Sequence, residues 1–314
     1  MSRMTRATRW TAGQIPDQTG RTVIVTGASS GLGLATAAQL ARHGAYVIMA
    51  VRDLDRGGRA RAELVARQPG ARLELRQLDL ADLDSVRAFA DGVLGDRIQI
   101  DVLVNNAGVM FPPRRLSPQG HELQFATNHL GHFALTGRLL ATLRAGTDPR
   151  VVTVSSSLHR SGRIQFDDLT GARSYSPVGF YSQSKFANAL FGLELHRRLQ
   201  ATSAPVRSLL AHPGYAATRL QTTEPRGLLR LLGRIGNRLV AQSAGMGALP
   251  QLYAATDPDA RSGQFFGPDR LFESRGHPVV VQPAAAAQDP ATARRLWELS
   301  EQLTGVHFDL PAAA

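Results

Sequence analysis

The chain has 314 residues, 43% of them hydrophobic and 19% charged, which is enough for one large domain or two small ones and indicates a soluble, globular protein. It contains no cysteine, which excludes disulfides and thiolate metal sites and agrees with a reducing, cytoplasmic compartment. The formal net charge is +11, but the arginines are spread along the chain without basic runs or interleaved aromatic residues, so we expect no nucleic-acid partner.

Metal binding, secretion and membrane insertion are not indicated either. The nine histidines include one close pair, His129 and His132, and no pattern of carboxylates surrounds it, so we expect no metal site. Arg3, Arg6 and Arg9 precede no apolar segment, and no window of 18 apolar residues occurs. We therefore expect neither a signal peptide nor a membrane span.

Strand and helix patterns alternate along most of the chain after a polar stretch, residues 1–20, which we interpret as a loosely attached arm. The predicted strands cover 21–26, 45–50, 72–78, 100–104, 150–154, 206–211 and 264–266. The predicted helices cover 34–43, 54–67, 82–94, 122–143, a segment that carries Tyr181 and Lys185, and one that begins with Asp289 as N-cap and Pro290 as first residue.

The apolar strands that these helices separate are typical of a parallel sheet covered on both faces. With right-handed crossovers, this pattern predicts an α/β fold, a doubly wound Rossmann-type sheet of about seven strands. The chain has no internal repeat and no linker, so we expect residues 21–314 to form a single domain.

Residues 218–247 interrupt the alternation. Arg226, Arg230, Arg234 and Arg238 recur every four residues, and apolar residues fall on the other side of a helical wheel that three glycines weaken. Three interpretations stay open: a lid over a substrate pocket, which we favour, a surface that contacts acidic lipid, or a packing helix with a solvated face.

A glycine-rich turn joins the first predicted strand to the first predicted helix. It consists of Gly27, Ala28, Ser29, Ser30, Gly31, Leu32 and Gly33. Glycines permit a tight turn and a close approach of the backbone to a pyrophosphate, while the start of the helix provides free N–H groups and the positive end of its dipole. The turn predicts a dinucleotide-binding site, with an ordinary strand-to-helix connection as the alternative.

The end of the second predicted strand bears on the choice of dinucleotide. At this point an acid binds the ribose hydroxyls of NAD, whereas an arginine binds the 2′-phosphate of NADP. The chain has Arg52 followed by Asp53, and because Arg52 comes first we favour NADP over NAD. Asp53 can equally serve as the entry to the following helix.

Polar and small residues follow the third and fourth predicted strands, at the sheet edge where ligands bind in this fold. They are Asp79 and Leu80 after the third strand, and Asn105, Asn106, Ala107 and Gly108 after the fourth. The small pair at 107–108 would let a cofactor lie against the backbone. Asn105 could equally stabilise the loop, and for Asn106 a structural role is the stronger alternative.

The only lysine of the chain, Lys185, follows Tyr181 by four residues, which puts both side chains on one helix face. A lysine ammonium is a compact charge that can sit beside a phenol and hydrogen-bond a sugar hydroxyl, whereas arginine is a planar fork. We therefore predict a functional pair rather than two ordinary surface residues.

Together these motifs closely resemble the short-chain dehydrogenase/reductase superfamily over roughly residues 20–270. They are TGASSGLG at 26–33, NNAG at 105–108, Asn128, the serines after the fifth strand, YSQSK at 181–185 and HPGYAAT at 212–218. Arg52, the long insertion before Tyr181 and NHLGHF at 128–133 look most like the retinol-dehydrogenase-like bacterial oxidoreductases. The resemblance implies an NAD(P)-dependent enzyme that acts on CH–OH or C=O groups, and a homodimer or homotetramer.

The resemblance also implies the catalytic roles. Tyr181 would be the general acid in reduction and the base in oxidation, with its pKa lowered by Lys185 and by the positive nicotinamide. Lys185 would also hold the nicotinamide ribose. Ser156 would polarise the substrate carbonyl, with Ser155 and Ser157 as alternatives.

Four further positions match the family. Asn128 would hold a water that links Lys185 to solvent as a proton relay. Pro213, Gly214 and Thr218 match the segment that contacts the carboxamide end of the nicotinamide.

One departure concerns the spacing of 25 residues between Ser156 and Tyr181, about twice the usual one in the family. It requires residues 158–179 to loop out, as an insertion in the retinol-type subgroup does. If they do not, the assignment of Ser156 fails first.

These observations predict an NADP-dependent oxidoreductase that transfers a hydride between nicotinamide and a carbonyl or alcohol carbon. Met110, Phe111 and Leu158 near the expected pocket mouth suggest a lipophilic small-molecule substrate. Two alternatives stay open: an NADP-binding sensor or scaffold with little catalytic activity, and an enzyme that contacts the membrane surface through the arginines of 226–238.

Overall fold

The computed structural model describes residues 9–215 and 242–310. Within these ranges the chain forms a sheet of eight strands in the order β3-β2-β1-β4-β5-β6-β7-β8. The strands are β1 (Thr22–Thr26), β2 (Tyr46–Val51), β3 (Arg72–Gln77), β4 (Val102–Asn105), β5 (Arg150–Val154), β6 (Arg207–Ala211), β7 (Phe265–Arg270) and β8 (Arg275–Val281). The pairs from β1 to β7 are parallel, and β8 runs antiparallel to β7.

The helices connect successive strands and close the chain. They are α1 (Gly31–Arg42), α2 (Leu54–Arg67), α3 (Leu83–Gly95), α4 (Leu123–Phe125), α5 (Gly131–Arg144), α6 (Pro177–Ala201), α7 (Ala244–Gly247), α8 (Leu249–Thr256) and α9 (Pro290–Thr304), with a π-helical segment at Ala126–Leu130 and 3₁₀ turns at Ala12–Gln14, Ser157–Ser161 and Ala285–Gln288. Asp289 accepts hydrogen bonds from the backbone of Ala291 and Thr292, which confirms the predicted N-cap of the last helix.

The two faces of the sheet carry two apolar cores because side chains alternate along each strand. Val23 and Val25 of β1 pack in one core with α1, α2 and α8, and Ile24 between them packs in the other with α3, α5 and α6. The structure therefore has the predicted doubly wound α/β architecture, with helices on both faces.

The eighth strand was not predicted. Its sequence contains Gly276 and Pro278, which are rare inside strands. β8 lies at the sheet edge with Pro278 opposite Pro268 of β7, and an edge strand tolerates proline because one of its sides needs no N–H donors.

Residues 9–20 pack against the domain rather than forming a loose arm. The Trp10 ring meets Tyr253 of α8 edge to face, with centroids 5.2 Å apart, and Ile15 is buried in the same core. The backbone N–H of Gln18 donates to the carbonyl of His43 at 2.7 Å. Two isolated apolar side chains show no periodicity, so the sequence pattern did not reveal this attachment.

Most of the predicted lid, residues 218–241, lies outside the described residues. At its C-terminal end, the Gln242 side chain donates to the carbonyl of Pro213 at 2.6 Å and accepts from the backbone of Gly276 at 3.1 Å. This end of the segment therefore joins the loop after β6 to the β7–β8 hairpin.

Candidate active site

A cleft opens where the strand order reverses, between the carboxyl ends of β1 and β4, which is where ligands bind in doubly wound sheets. Its cavity volume is about 230 Å³. The predicted cofactor residues that line it are Gly27, Ser29, Ser30, Gly31, Leu32, Gly33, Arg52, Asp79, Leu80, Ala107 and Gly108. Lining residues that the sequence did not single out for this role include Arg56, Asn106, Val109 and Thr127.

The glycine turn brings α1 very close to the loop after β4. Gly27 has φ +69°, and a Cβ on Gly33 would lie 2.5 Å from the Gly27 carbonyl oxygen and 2.6 Å from Asn106 Nδ2. Ser30 caps α1 without a side-chain hydrogen bond. Within the described residues, no side chain accepts a hydrogen bond from the first N–H groups of α1, which lie at the cleft. These free donors suit the pyrophosphate of a dinucleotide.

Two arginines line the cleft where β2 leads into α2: Arg52 follows β2, and Arg56 lies in the first turn of α2. Asp53 is occupied as the N-cap of α2, where its carboxylate accepts from the Arg56 backbone at 2.9 Å. Among the described residues, neither Arg52 nor Arg56 has a carboxylate within ion-pair distance, and Arg56 Nε is buried without a hydrogen-bond partner. This corner is thus arranged for an anion, and only the first arginine was predicted from the sequence.

The two asparagines after β4 differ in position. Asn105 is completely buried, and its amide donates to Thr136 Oγ1 at 3.0 Å, so it supports the core and does not line the cleft. Asn106 lines the cleft, and its Nδ2 donates to the Thr26 carbonyl at 2.7 Å. From the sequence we expected the stronger structural role at Asn106, so the two positions are reversed.

Tyr181, Lys185 and Ser156 meet at the end of β5. Lys185 Nζ lies 5.9 Å from the Tyr181 ring centroid and donates to the Val154 carbonyl at 3.0 Å. Both side chains are buried. The Ser156 hydroxyl lies close enough to the Tyr181 phenol to affect its pKa, so the structure brings the three predicted catalytic residues together.

The pKa of Tyr181 is raised in the structure, whereas the resemblance implied a lowered pKa. Burial raises the pKa of Tyr181 to about 12, although the neighbouring Ser156 hydroxyl acts in the opposite direction. Burial also lowers the pKa of Lys185 to about 8. In the protein alone, loss of hydration therefore outweighs the effect of the Ser156 hydroxyl, and the phenol is protonated at neutral pH.

The three serines after β5 have different surroundings. Ser155 is buried, and its hydroxyl donates to the Lys185 carbonyl at 2.8 Å. Ser157 is exposed to solvent. Ser156 alone among them lies beside the phenol of Tyr181 and accepts from the Leu158 backbone at 3.3 Å.

The predicted single helix over 122–143 contains the π-helical segment Ala126–Leu130 with Asn128 in its middle. The Asn128 amide donates to the Val109 carbonyl at 3.0 Å and to Ser184 Oγ at 2.9 Å. Asn128 Oδ1 and Lys185 Nζ would lie 3.1 and 3.6 Å from a Cβ on Gly108. Such wide turns are frequent at functional sites, and this one joins the cleft to the helix of Tyr181.

His132 is a buried supporting residue whose role the sequence did not reveal. Its Nδ1 lies 3.0 Å from the Asn128 carbonyl and its Nε2 lies 2.9 Å from Thr26 Oγ1. The same Thr26 hydroxyl accepts from the backbone of Asn106 and Ala107. Burial lowers the pKa of His132 to about 3, so a neutral imidazole links the wide turn to the wall of the cleft.

The loop after β6 is fixed by an ionic cluster that also went unpredicted. Glu273, at the tip of the β7–β8 hairpin, binds Arg160 at 2.9 Å and His212 at 3.1 Å. The hydrogen bond from His212, together with Arg160, lowers the pKa of Glu273 to about 2. The three residues are far apart in sequence, so no local sequence pattern predicts their contact.

Two of the predicted carboxamide contacts lie in the same loop. Gly214 has φ +64°, and a Cβ there would lie 2.4 Å from the Ser274 carbonyl oxygen. Pro213 accepts from Gln242. Thr218 lies outside the described residues.

The insertion between Ser156 and Tyr181 loops out, as their spacing requires. It begins as the 3₁₀ turn Ser157–Ser161 and ends where α6 starts at Pro177. Ser156 and Tyr181 therefore meet although they lie 25 positions apart.

The described ranges contain no group of three or more His, Asp or Glu side chains that could hold a metal ion. His129 instead packs among Phe125, Phe133 and Phe191. None of the described helices combines the length and apolar character that crossing a membrane requires.

Comparisons with known proteins agree with this geometry. The family model for short chain dehydrogenase matches residues 21–228. Mouse retinol dehydrogenase 14 is 41% identical over 300 residues, which cover 91% of this chain and 86% of the relative. Mouse polyprenol dehydrogenase is 40% identical over 297 residues, covering 93% and 86%.

A crystal structure of an uncharacterized protein from Mycobacterium paratuberculosis has a TM-score of 0.80 and 47% identity, covering 96% of this chain and 100% of that chain. The chain therefore belongs to the short-chain dehydrogenase family, is retinol-dehydrogenase-like, and is an NAD(P)-dependent oxidoreductase that acts on CH–OH or C=O groups.

Proposed function

We propose that the protein is an NADP-dependent oxidoreductase for lipophilic carbonyls or alcohols, with Tyr181 as the general acid and base. The observation that carries the proposal is the meeting of Tyr181, Lys185 and Ser156 beside a cleft with a glycine turn and two arginines that pair with no carboxylate of residues 9–215 and 242–310. A family enzyme needs this combination of a proton donor and an anion-binding cleft.

The cleft residues would hold the cofactor from one end to the other. The free N–H groups of α1 suit the pyrophosphate, Arg52 and Arg56 suit a 2′-phosphate, and the loop at Pro213 and Gly214 suits the carboxamide end. Because Asp53 is engaged in capping α2, the corner favours NADP over NAD. When bound, the nicotinamide supplies or accepts the hydride.

The protein's own part is to move a proton and to orient the substrate. In reduction, the Tyr181 phenol donates its proton to the substrate oxygen, and the raised pKa keeps this proton in place at neutral pH. The Ser156 hydroxyl donates a hydrogen bond to the same oxygen. Lys185 stabilises the resulting phenolate, and Asn128, beside Lys185 and Gly108, belongs to the path by which the proton returns.

A lipophilic substrate is the choice that best fits the surroundings of Tyr181. The ring of Phe111 packs against Tyr181 and is 36% exposed, which provides an apolar wall beside the reacting group. The relatives named for retinol and polyprenol, both lipophilic alcohols, support the same choice. Homo-oligomerisation and a cytoplasmic location stay predictions from the sequence.

The test is NADPH consumption over a panel of lipophilic aldehydes, ketones and quinones, with NADPH binding measured in parallel. We expect tight binding and turnover with at least one compound of the panel. Tight binding without any turnover would contradict an enzymatic role and would favour the alternative, an NADP-binding sensor or scaffold.

A further inference from the structure

Phe111 has an unusual backbone conformation beside the candidate catalytic tyrosine. Its φ is 59°, in the left-handed region that bulky residues seldom adopt. Its ring meets the Tyr181 ring edge to face, with centroids 5.2 Å apart and planes at 76°. Phe111 is also 36% exposed, so part of its surface beside Tyr181 is open to solvent.

A left-handed backbone is strained for phenylalanine, so the surroundings must hold it. The backbone N–H of Phe111 donates to Gln124 Oε1 at 3.0 Å. Gln124 is completely buried, and its Nε2 donates to Tyr175 Oη at 3.2 Å and to the Pro177 carbonyl at 3.0 Å. Both the oxygen and the nitrogen of the Gln124 amide are therefore hydrogen-bonded, and this fixed amide holds the backbone of Phe111 in place.

The insertion before Tyr181 supplies most of this support. Tyr175 Oη donates to the Pro112 carbonyl at 2.9 Å, and the Thr170 carbonyl accepts from Arg114 Nε at 2.9 Å. The Tyr175 ring in turn packs on the buried Phe180 of α6 at 4.9 Å. The insertion therefore contacts two residues that follow Phe111, Pro112 and Arg114, and also the start of the tyrosine helix.

We propose that Phe111 is a specificity-determining wall of the substrate site and that the insertion, residues 158–179, is the brace that holds its ring over Tyr181. A ring held edge to face with Tyr181 leaves a flat surface beside the reacting group, and flat surfaces pack best against planar groups. The wall therefore favours carbonyl compounds with a planar apolar group next to the reacting carbon. This inference rests on the proposed function of Tyr181.

The test of the wall compares benzaldehyde, whose ring is planar, with cyclohexanecarbaldehyde, whose ring is puckered, in wild-type protein and in Phe111→Gly, so that their different intrinsic reactivities cancel between the two proteins. Glycine accepts a positive φ without strain, so this substitution removes the ring and leaves the turn. We expect the ratio of kcat/KM for the planar over the puckered aldehyde to fall about tenfold, mostly through KM, while the Kd of NADPH stays the same.

The matched control is Phe272→Gly. Phe272 also has a positive φ, 52°, but its side chain is fully exposed in the turn between β7 and β8. We expect its substitution to leave the ratio unchanged. An unchanged ratio in Phe111→Gly, or an equal fall in Phe272→Gly, would overturn the assignment of the wall.

The test of the brace is Tyr175→Phe, which removes the hydroxyl contacts to Pro112, Gln124 and Glu122 but keeps the ring on Phe180. We expect the same selectivity to fall by about fivefold with kcat on propanal unaffected, which is the size of effect expected for the loss of one neutral hydrogen bond. Full retention of selectivity would contradict the brace.

A binding measurement that needs no catalytic turnover tests the wall separately from the proposed function. Saturation-transfer NMR of benzyl alcohol on the NADP-bound protein reports contact with the wall whether or not chemistry occurs. We expect the signal in wild type and its loss in Phe111→Gly. A protein that fails to turn over any carbonyl yet shows this loss refutes the proposed function only, and an equal signal in both proteins refutes the wall.

Discussion

The two sides of the active site are built by different parts of the polypeptide. On the cofactor side, backbone groups do most of the work: the glycine turn and the N–H groups of α1 line the cleft, and a Cβ on Gly33 would collide with the Gly27 carbonyl. On the catalytic side, side chains from distant segments converge, as Ser156, Tyr181 and Phe111 do. A site formed by backbone groups is determined by a short stretch of sequence. A site formed by side chains from distant segments depends on the whole fold.

Lys185→Arg is the strongest way to break the catalytic side while keeping its charge. Lys185 is buried against the Val154 carbonyl and the Tyr181 ring, where a guanidinium fork does not fit. We expect kcat/KM for a carbonyl substrate to fall about 100-fold at pH 7. A fully active arginine variant would mean that the only lysine of the chain has no special role.

The same residue predicts a pH dependence. Burial lowers the pKa of Lys185 to about 8, so the free wild-type enzyme loses this positive charge as the pH rises through about 8. We expect kcat/KM for carbonyl reduction to decline above that pH. The residual activity of Lys185→Arg should show no such decline, because a guanidinium stays charged.

Replacing Arg52 and Arg56 tests the part of the cofactor side where side chains, rather than backbone groups, are proposed to bind the cofactor. Arg52→Ala and Arg56→Ala should each raise the Kd of NADPH about tenfold or more, since hydrogen bonds to charged groups contribute about 1.5–3 kcal/mol, and should leave the Kd of NADH nearly unchanged. Arg59→Ala is the control, because Arg59 is exposed on α2 and does not line the cleft. Equal losses for NADPH and NADH would show that the arginines are structural.

Gly33→Ala tests whether close backbone approach defines the cofactor side. The added Cβ would lie 2.5 Å from the Gly27 oxygen, so we expect a loss of about 1–3 kcal/mol in the free energy of unfolding and weaker NADPH binding. In Gly58→Ala nothing lies within 4 Å of the added Cβ, and alanine favours the helix by up to about 1 kcal/mol. A Gly33→Ala protein as stable as Gly58→Ala would contradict the close packing.

Glu273→Gln should have the smallest effect, since the Arg160–Glu273 ion pair is partly exposed and glutamine can still accept a hydrogen bond from His212. The hydrogen bond from His212, together with Arg160, lowers the pKa of Glu273 to about 2. Its contribution to stability is therefore complete above the unfolded pKa near 4.5 and is lost as the pH falls toward 2. We expect the variant to melt about 2 °C below wild type at pH 7 and by a smaller margin at pH 3. A margin that grows on acidification would contradict this account.

Local patterns predicted most of the cofactor side. α2 has the predicted bounds, Leu54–Arg67, because Asp53 caps it and a Pro-Gly pair follows it, and both signals lie next to the helix. The glycine turn and Arg52 were found for the same reason, since the residues that define them are neighbours in the chain.

The remainder required the fold. Asn105 and Asn106 are adjacent, but one is the last residue of β4 and faces the core while the other begins the loop and lines the cleft. Sequence alone does not fix where a strand ends to within one residue. Glu273 binds Arg160 across more than a hundred residues, and Gln124 supports Phe111 through a single side-chain hydrogen bond. Such pairs leave no periodic signal.

The most direct test of the account measures two quantities on one protein, Tyr181→Phe: the Kd of NADPH and the rate of carbonyl reduction. If the cofactor side is a backbone site independent of the phenol, the Kd stays within about twofold of wild type while kcat/KM falls about 1,000-fold for loss of the general acid. Turnover at the wild-type rate in Tyr181→Phe would contradict the central claim that this phenol transfers the proton.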